Sequence, residues 1–351
     1  MTSYIKIIGL GCVGFVLASC GGGGDNPAGT ITSAAVTDST VIVESSEKAV
    51  AGYTLGSVNM LSDICASTEP AGTQCRSLEV TCPNMPALQV SLRITEPTTG
   101  VTPRGTVIFS TGGGGTGYYA QPELFQSLQN EGFRIVDRAW SGAWYQDSGG
   151  IRKGACRYAT LATWVHKNLH SGPAFCATGN SGGAAEVGHA VMTYGRGAIL
   201  DHVMPTGGPA VARLDYACRG QSNQAWQDQC AAIIADGKAQ GSWSTCTPSC
   251  TLSPNDGVCT ALSATATEQD LLYDSVLAPD SVYSFTRTQM SFLEGTKDCQ
   301  ISPVMGVLFH STVKSSKSFA FVQNTPHAVS STTEGRNAMV GAIVNECIAR
   351  H

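Results

Sequence analysis

Charge is scarce in this chain. Asp, Glu, Lys and Arg make up 13% of its 351 residues, against roughly 25% in ordinary globular domains. The formal net charge is −5 and no basic stripe stands out, so the electrostatic footprint of a nucleic-acid binder is missing. No glycine run is followed by G-K-[ST], which excludes a nucleotide P-loop. No internal repeat is visible. Bilayer-length apolar runs are missing too. The one candidate, inside "MTSYIKIIGLGCVGFVLASC", is about a dozen residues long and too short for a permanent transmembrane helix.

That run has the length of a signal peptide instead. Lys6 precedes it, and Leu17-Ala18-Ser19-Cys20 closes it. A small residue before cysteine resembles the bacterial lipobox. The resemblance implies that residues 1–19 are cleaved away and that the Cys20 sulfur carries a diacylglycerol. Gly21 after it, rather than Asp, implies sorting to the outer membrane, on its periplasmic or cell-surface face. An ordinary secretory signal with a chance cysteine stays open. Residues 20–50, which begin "CGGGGDNPAG", read as a flexible tether.

Fourteen cysteines stand in the chain. Without Cys12 and Cys20 there remain Cys65, Cys75, Cys82, Cys156, Cys176, Cys218, Cys230, Cys246, Cys250, Cys259, Cys299 and Cys347. An even number in an exported chain reads as disulfides, with connectivity open. Cys246 and Cys250 have zinc-like spacing. No second close pair and no nearby histidine completes such a site, so no metal is expected.

The mature chain, about 330 residues, suffices for one large domain with an insertion. "LQVSLRITEP" (88–97) alternates as a half-buried strand does. "GTVIFS" (105–110) is a continuous β-rich run, as a strand covered on both faces should be. Helical spacing follows in 122–132, a strand in 133–139, a helix in 158–170, a strand in 174–179 and a helix in 181–195. A strand and turn occupy 198–209. Strands alternating with helices predict an α/β fold with a mainly parallel sheet. The rhythm breaks over 210–285, where five of the twelve cysteines gather, and this segment reads as a disulfide-stapled insertion. Strands resume at 289–295 and 317–324, and a last helix lies near 331–348. Residues 51–77 show no clear periodicity.

Ser181 lies in Gly179-Asn180-Ser181-Gly182-Gly183, between a buried strand and a helix. Glycines two residues either side of a serine fit a nucleophile elbow, where bulkier side chains would clash. A serine needs a base. Of the histidines downstream, His189 lies within the following helix, His202 within a strand, and His351 is terminal. His327, in "NTPH" beyond a strand end, is favoured, and His310 stays open. Asp298, on the loop after "MSFLEG", is favoured as the acid, with Asp274, Asp280 and Glu294 as rivals. The oxyanion donors are expected to be the N–H of Gly182 and that of Gly113 or Gly114, in "STGGGGTGYY".

In this order, strand–GGGG, strand–GNSGG–helix, strand–"EGTKD" and strand–"NTPH"–helix resemble the α/β-hydrolase superfamily over residues 78–348. The esterase and lipase branch often has His-Gly before its oxyanion glycines. Here Ser110-Thr111 stands instead. The resemblance implies an α/β-hydrolase domain over 51–351, with a cap at 210–285. It also implies acyl transfer to water through a serine ester, without a cofactor. Ser181 would attack, His327 would act as base and then acid, and Asp298 would orient it. Tyr118, Tyr119, Trp140, Trp144 and Tyr145 are expected to line an aromatic cleft, and Trp226 and Trp243 lie in the cap. The expected partners are a small-molecule or polymeric ester and, through Cys20, a membrane, with no nucleic acid. A peptidase or amidase, or an inactive hydrolase fold kept as a surface binding or structural lipoprotein, are the other readings.

Overall fold

Val107, Ile108 and Phe109 are consecutive and wholly buried. A strand points successive side chains to opposite faces, so this run needs cover on both sides. In the computed structural model, Ile108 packs into one apolar core and Val107 and Phe109 into a second. The structure describes residues 49–349, except 240, 242, 244–245, 254–255 and 262–265, together with His351. The expected signal peptide, Cys20 and the tether up to residue 48 lie outside the described residues.

The sheet between the two cores has nine strands. They are β1 (Ser57–Ser62), β2 (Gln74–Thr81), β3 (Leu88–Thr95), β4 (Gly105–Ser110), β5 (Phe133–Trp140), β6 (Ala174–Asn180), β7 (His202–Thr206), β8 (Gln289–Gly295) and β9 (Lys317–Val322). Their order is β1-β2-β3-β5-β4-β6-β7-β8-β9. From β5 to β9 every neighbouring pair is parallel, and β1, β2 and β3 join antiparallel. β1 escaped the sequence reading because most of its residues are exposed and Val58 alone packs on the core, which leaves little alternation to read.

Ten α-helices are described: α1 (Pro122–Asn130), α2 (Ile151–Gly154), α3 (Cys156–Asn168), α4 (Gly182–Met192), α5 (Leu214–Arg219), α6 (Gln224–Ala239), α7 (Gly257–Ala261), α8 (Glu268–Tyr273), α9 (Ser302–Thr312) and α10 (Thr333–Ala342). Leu161, Val187 and Val304 carry α3, α4 and α9 into the core that receives Ile108. Leu124, Leu128 and Met339 carry α1 and α10 into the other. Helices thus cover both faces of a mainly parallel sheet, the α/β-hydrolase architecture that the resemblance implies.

Between β7 and β8 the chain leaves the sheet for α5 to α8. Cys218–Cys259 and Cys230–Cys250 close this insertion on itself, and Cys246–Cys299 ties it to the loop after β8. Cys246 and Cys250, the pair with zinc-like spacing, belong to different bridges. Cys65–Cys75, Cys82–Cys156 and Cys176–Cys347 pair the other six cysteines. Trp226 stacks on Tyr216 at 4.7 Å and donates its indole N–H to the Cys250 carbonyl. Trp243 is buried edge-on against Phe321. Both tryptophans anchor the insertion.

Candidate active site

β6 ends at Asn180 and α4 begins at Gly182, so Ser181 must reverse the chain in one residue. It does so at φ 55° and ψ −112°, a conformation that costs a non-glycine residue of order 1–3 kcal/mol. The space around it explains the flanking glycines. A Cβ on Gly179 would lie 2.3 Å from the Gly183 carbonyl carbon, and one on Gly183 would lie 2.4 Å from the Ser110 oxygen. The Ser181 N–H donates to the Thr206 oxygen at 2.9 Å, which pins the turn to the end of β7.

His327 follows β9, and Asp298 follows β8. Their loops are stitched together by the Lys297 N–H on the Thr325 oxygen at 2.9 Å. The Asp298 carboxylate is wholly buried and lies 2.7 Å from His327 Nδ1. Its other oxygen accepts the Gln300 N–H at 2.9 Å. With the Nδ1 proton held by Asp298, Nε2 is the imidazole's acceptor. The turn after β7 lies between this pair and the serine. A Cβ on Gly207 would be 3.4 Å from His327 Nδ1, and one on Gly208 would be 3.7 Å from Ser181 Cα. Asn180, next to the serine, accepts the Val329 N–H at 3.4 Å, so the histidine loop is also tied to the elbow itself.

The glycine loop after β4 approaches the same point. A Cβ on Gly182 would lie 2.1 Å from the Gly113 oxygen. Neither the Gly113 nor the Gly182 N–H has a hydrogen-bond acceptor among the described residues. Gly114 instead faces Ala143, and its carbonyl accepts the Trp144 N–H at 2.9 Å. Of the two glycines left open by the sequence, Gly113 is the one beside Gly182.

Ser181, Gly182 and Gly113 line a cleft of about 200 Å³. Trp144, Tyr145, Ile151, Ala185 and Val211 give it apolar walls. The insertion adds Leu252, Asp256 and Val258, and the acid loop adds Gln300. A separate cavity of about 260 Å³, lined by Arg93, Phe125 and Asp137 among others, includes none of the residues at the serine.

No protein-family model and no curated protein matches the sequence. Solved structures do resemble it in chain trace. Est1E from Butyrivibrio proteoclasticus is 13% identical, with a TM-score of 0.47 over 78% of this chain and 99% of its own. Dienelactone hydrolase from Anabaena variabilis is also 13% identical, with a TM-score of 0.43 over 78% and 97%. Thermogutta terrifontis esterase 2 is 10% identical, with a TM-score of 0.48 over 81% and 98%.

Three aromatic residues are not where the sequence reading put them. Tyr119 is buried against Phe109, with its hydroxyl on the Met339 sulfur. Trp140 is 2% exposed and gives its indole N–H to Glu186. Tyr118 lies under the Arg93 guanidinium at 3.7 Å. Only Trp144 and Tyr145 of the five expected aromatics line the cleft. The rival acids have other work: Asp274 accepts the Ile151 and Arg152 N–H groups, and Asp280 pairs with Arg152. His310 lies in α9 and packs on Phe292 and Phe319.

Sequence reasoning also missed the group that holds the glycine loop. Arg138, on β5, donates to the Gly115 oxygen at 2.7 Å and the Thr111 oxygen at 3.3 Å. It also pairs with Glu186 on α4, and both side chains are wholly buried. Burial pushes the Glu186 carboxyl up to about 7, against the opposing pull of Arg138. One guanidinium therefore joins the strand, the glycine loop and the helix that starts at Ser181.

Proposed function

We propose that this chain is an extracytoplasmic serine hydrolase that cleaves carboxylic esters. The observation that carries the reading is a left-handed serine at a strand–helix junction, one glycine turn away from a hydrogen-bonded histidine–aspartate pair. Ser181 Oγ attacks the ester carbonyl while His327 Nε2 takes its proton. The carbonyl oxygen gathers negative charge against the N–H groups of Gly113 and Gly182, which have no other acceptor among the described residues. His327 then returns the proton to the leaving alcohol, and the acyl group remains on Ser181. A water, deprotonated by the same imidazole, releases the acid. Asp298 orients the ring and stabilises its cation. The apolar walls at Trp144, Tyr145 and Val211 favour an apolar or aromatic acyl group, alone or at a polymer end.

Six disulfides favour an oxidising compartment, and Leu17-Ala18-Ser19-Cys20 favours attachment to the outer membrane through lipid on Cys20. Among the described residues no helix is long and apolar enough to cross a membrane.

The test is fluorophosphonate labelling of oxidised protein, with the adduct located by peptide mass, beside a panel of esters and peptides. An adduct on Ser181, lost with His327→Ala, and turnover of esters support the reading. Ser181→Ala should abolish turnover and leave stability within about 0.5 kcal/mol. Cleavage of peptides without esters would move the protein to the peptidase class. No adduct and no turnover would leave a binding protein.

A further inference from the structure

Glu294 is the penultimate residue of β8, and the chemistry above gives it no role. Its side chain is wholly buried. Oε1 accepts the Gly208 N–H at 3.0 Å, and Oε2 has no partner among the described residues. Among the described residues no cation compensates it, and the one charged group acting on it is Asp298. The surrounding structure makes room for this carboxyl. A Cβ on Gly306 of α9 would lie 2.1 Å from Oε1, so any larger residue there would displace the carboxyl. Ser302, one helical turn earlier on the same face of α9, is also buried, with an unpartnered hydroxyl. The group held by Oε1 is part of the Gly207-Gly208 turn, which lies between His327 and Ser181.

Two buried carboxylates that act on one another cannot both ionise cheaply. Asp298 has the His327 and Gln300 N–H groups to stabilise its charge. Glu294 has one backbone N–H. A neutral carboxyl accepts through its carbonyl oxygen and carries its proton on the other, which matches a bonded Oε1 and a separate Oε2. We propose that Glu294 is a positioning residue: through the Gly208 N–H it fixes the turn that spaces Ser181 from His327. It does so uncharged, so that no second negative charge stands beside Asp298. Burial, and then Asp298, push its carboxyl well above the ordinary range. α9 offers Ser302 and Gly306, and the turn offers Gly207 and Gly208, none of which titrates. As a statement about catalysis the proposal rests on the hydrolase reading.

The experiment compares the full chain with Glu294→Gln and Glu294→Ala, by ester turnover against pH and by the NMR signal of the His327 Nδ1 proton. Glu294→Gln keeps an uncharged acceptor for Gly208. It should stay within a few-fold of wild-type kcat while losing the step that the raised Glu294 carboxyl puts into the pH profile. Glu294→Ala should lower kcat about tenfold or more, the scale of a small misplacement of reacting groups, with KM little changed. In the wild type the imidazole proton signal should shift through a step above the ordinary carboxylate range, and that step should vanish in Glu294→Gln.

Glu294→Gln as impaired as Glu294→Ala would overturn the proposal, and so would a wild-type signal with no such step. If Glu294→Ala fails to fold, the wild type and Glu294→Gln still decide. If no ester turns over but the step is present and is lost with Glu294→Gln, the positioning role stands and the hydrolase reading falls.

Discussion

Ser181 holds a conformation that its side chain disfavours. Such strain costs about 1–3 kcal/mol, and a glycine at the same place would relieve it while adding about 0.5–1 kcal/mol of unfolded-chain entropy. Ser181→Gly should therefore gain roughly 1 kcal/mol in unfolding free energy and lose all turnover, as read by urea unfolding and an ester assay. A less stable variant would mean that the serine hydroxyl contributes to packing. This residue was legible because steric demand at the elbow writes glycines into fixed positions around it. Asp298 and His327 were legible because each follows a β-rich run by a short turn. Trp140 and Tyr119 were not. Trp140 ends β5, where one residue decides which face a side chain takes, and Tyr119 lies in the loop after β4, where no periodicity tells inside from outside.

The glycine loop has no side chains with which to hold its own shape, so neighbouring elements must impose it. Arg138 supplies that restraint from β5, and Glu186, 48 residues later, supplies the counter-charge. A buried pair this distant leaves no periodicity or spacing in the sequence, which is why it was missed. Arg138→Met strands a buried carboxylate, and should cost about 3–5 kcal/mol of stability together with a large loss in kcat. Adding Glu186→Leu should recover most of the stability in thermal unfolding and none of the kcat. Recovery of both would show that the loop holds its shape without the guanidinium. The insertion has a comparable tie. Cys246–Cys299 closes 53 residues of chain and lies next to Asp298. Replacing both cysteines by serine should cost about 4 kcal/mol by loop closure and lower kcat through a looser acid loop. A kcat equal to that of the wild type would mean that the stitch to Thr325 holds Asp298 unaided.

Over the whole molecule, low charge hides an unusual set of buried titratable groups, and their signs give a stability profile. His170, His189 and His202 are lowered to about 4, 3 and 4, chiefly by burial. The unfolded chain therefore binds more protons than the native state below about pH 6.5, and their contribution is lost as pH falls through that range. Burial acts oppositely on acids. It raises Asp137 and Asp274 to about 6, and it raises Glu294 well above its ordinary value. These native carboxyls keep protons that the unfolded chain has released, so their contribution is lost as pH rises from about 4.5 through the native values. Between about pH 4.5 and 6 the two sets oppose one another and the profile should be flat. Below it the histidines act alone. Above about pH 6, once Asp137 and Asp274 have ionised, any further fall in stability with rising pH belongs to Glu294. Urea midpoints from pH 4 to 9 would trace this curve. His189→Leu should flatten the acid limb by up to about one proton, and Glu294→Gln should remove most of the alkaline decline. A midpoint that climbs steadily from pH 6.5 to 9 would mean that Glu294 is ionised in the native protein. In that case the turn between Ser181 and His327 would be held by a charge.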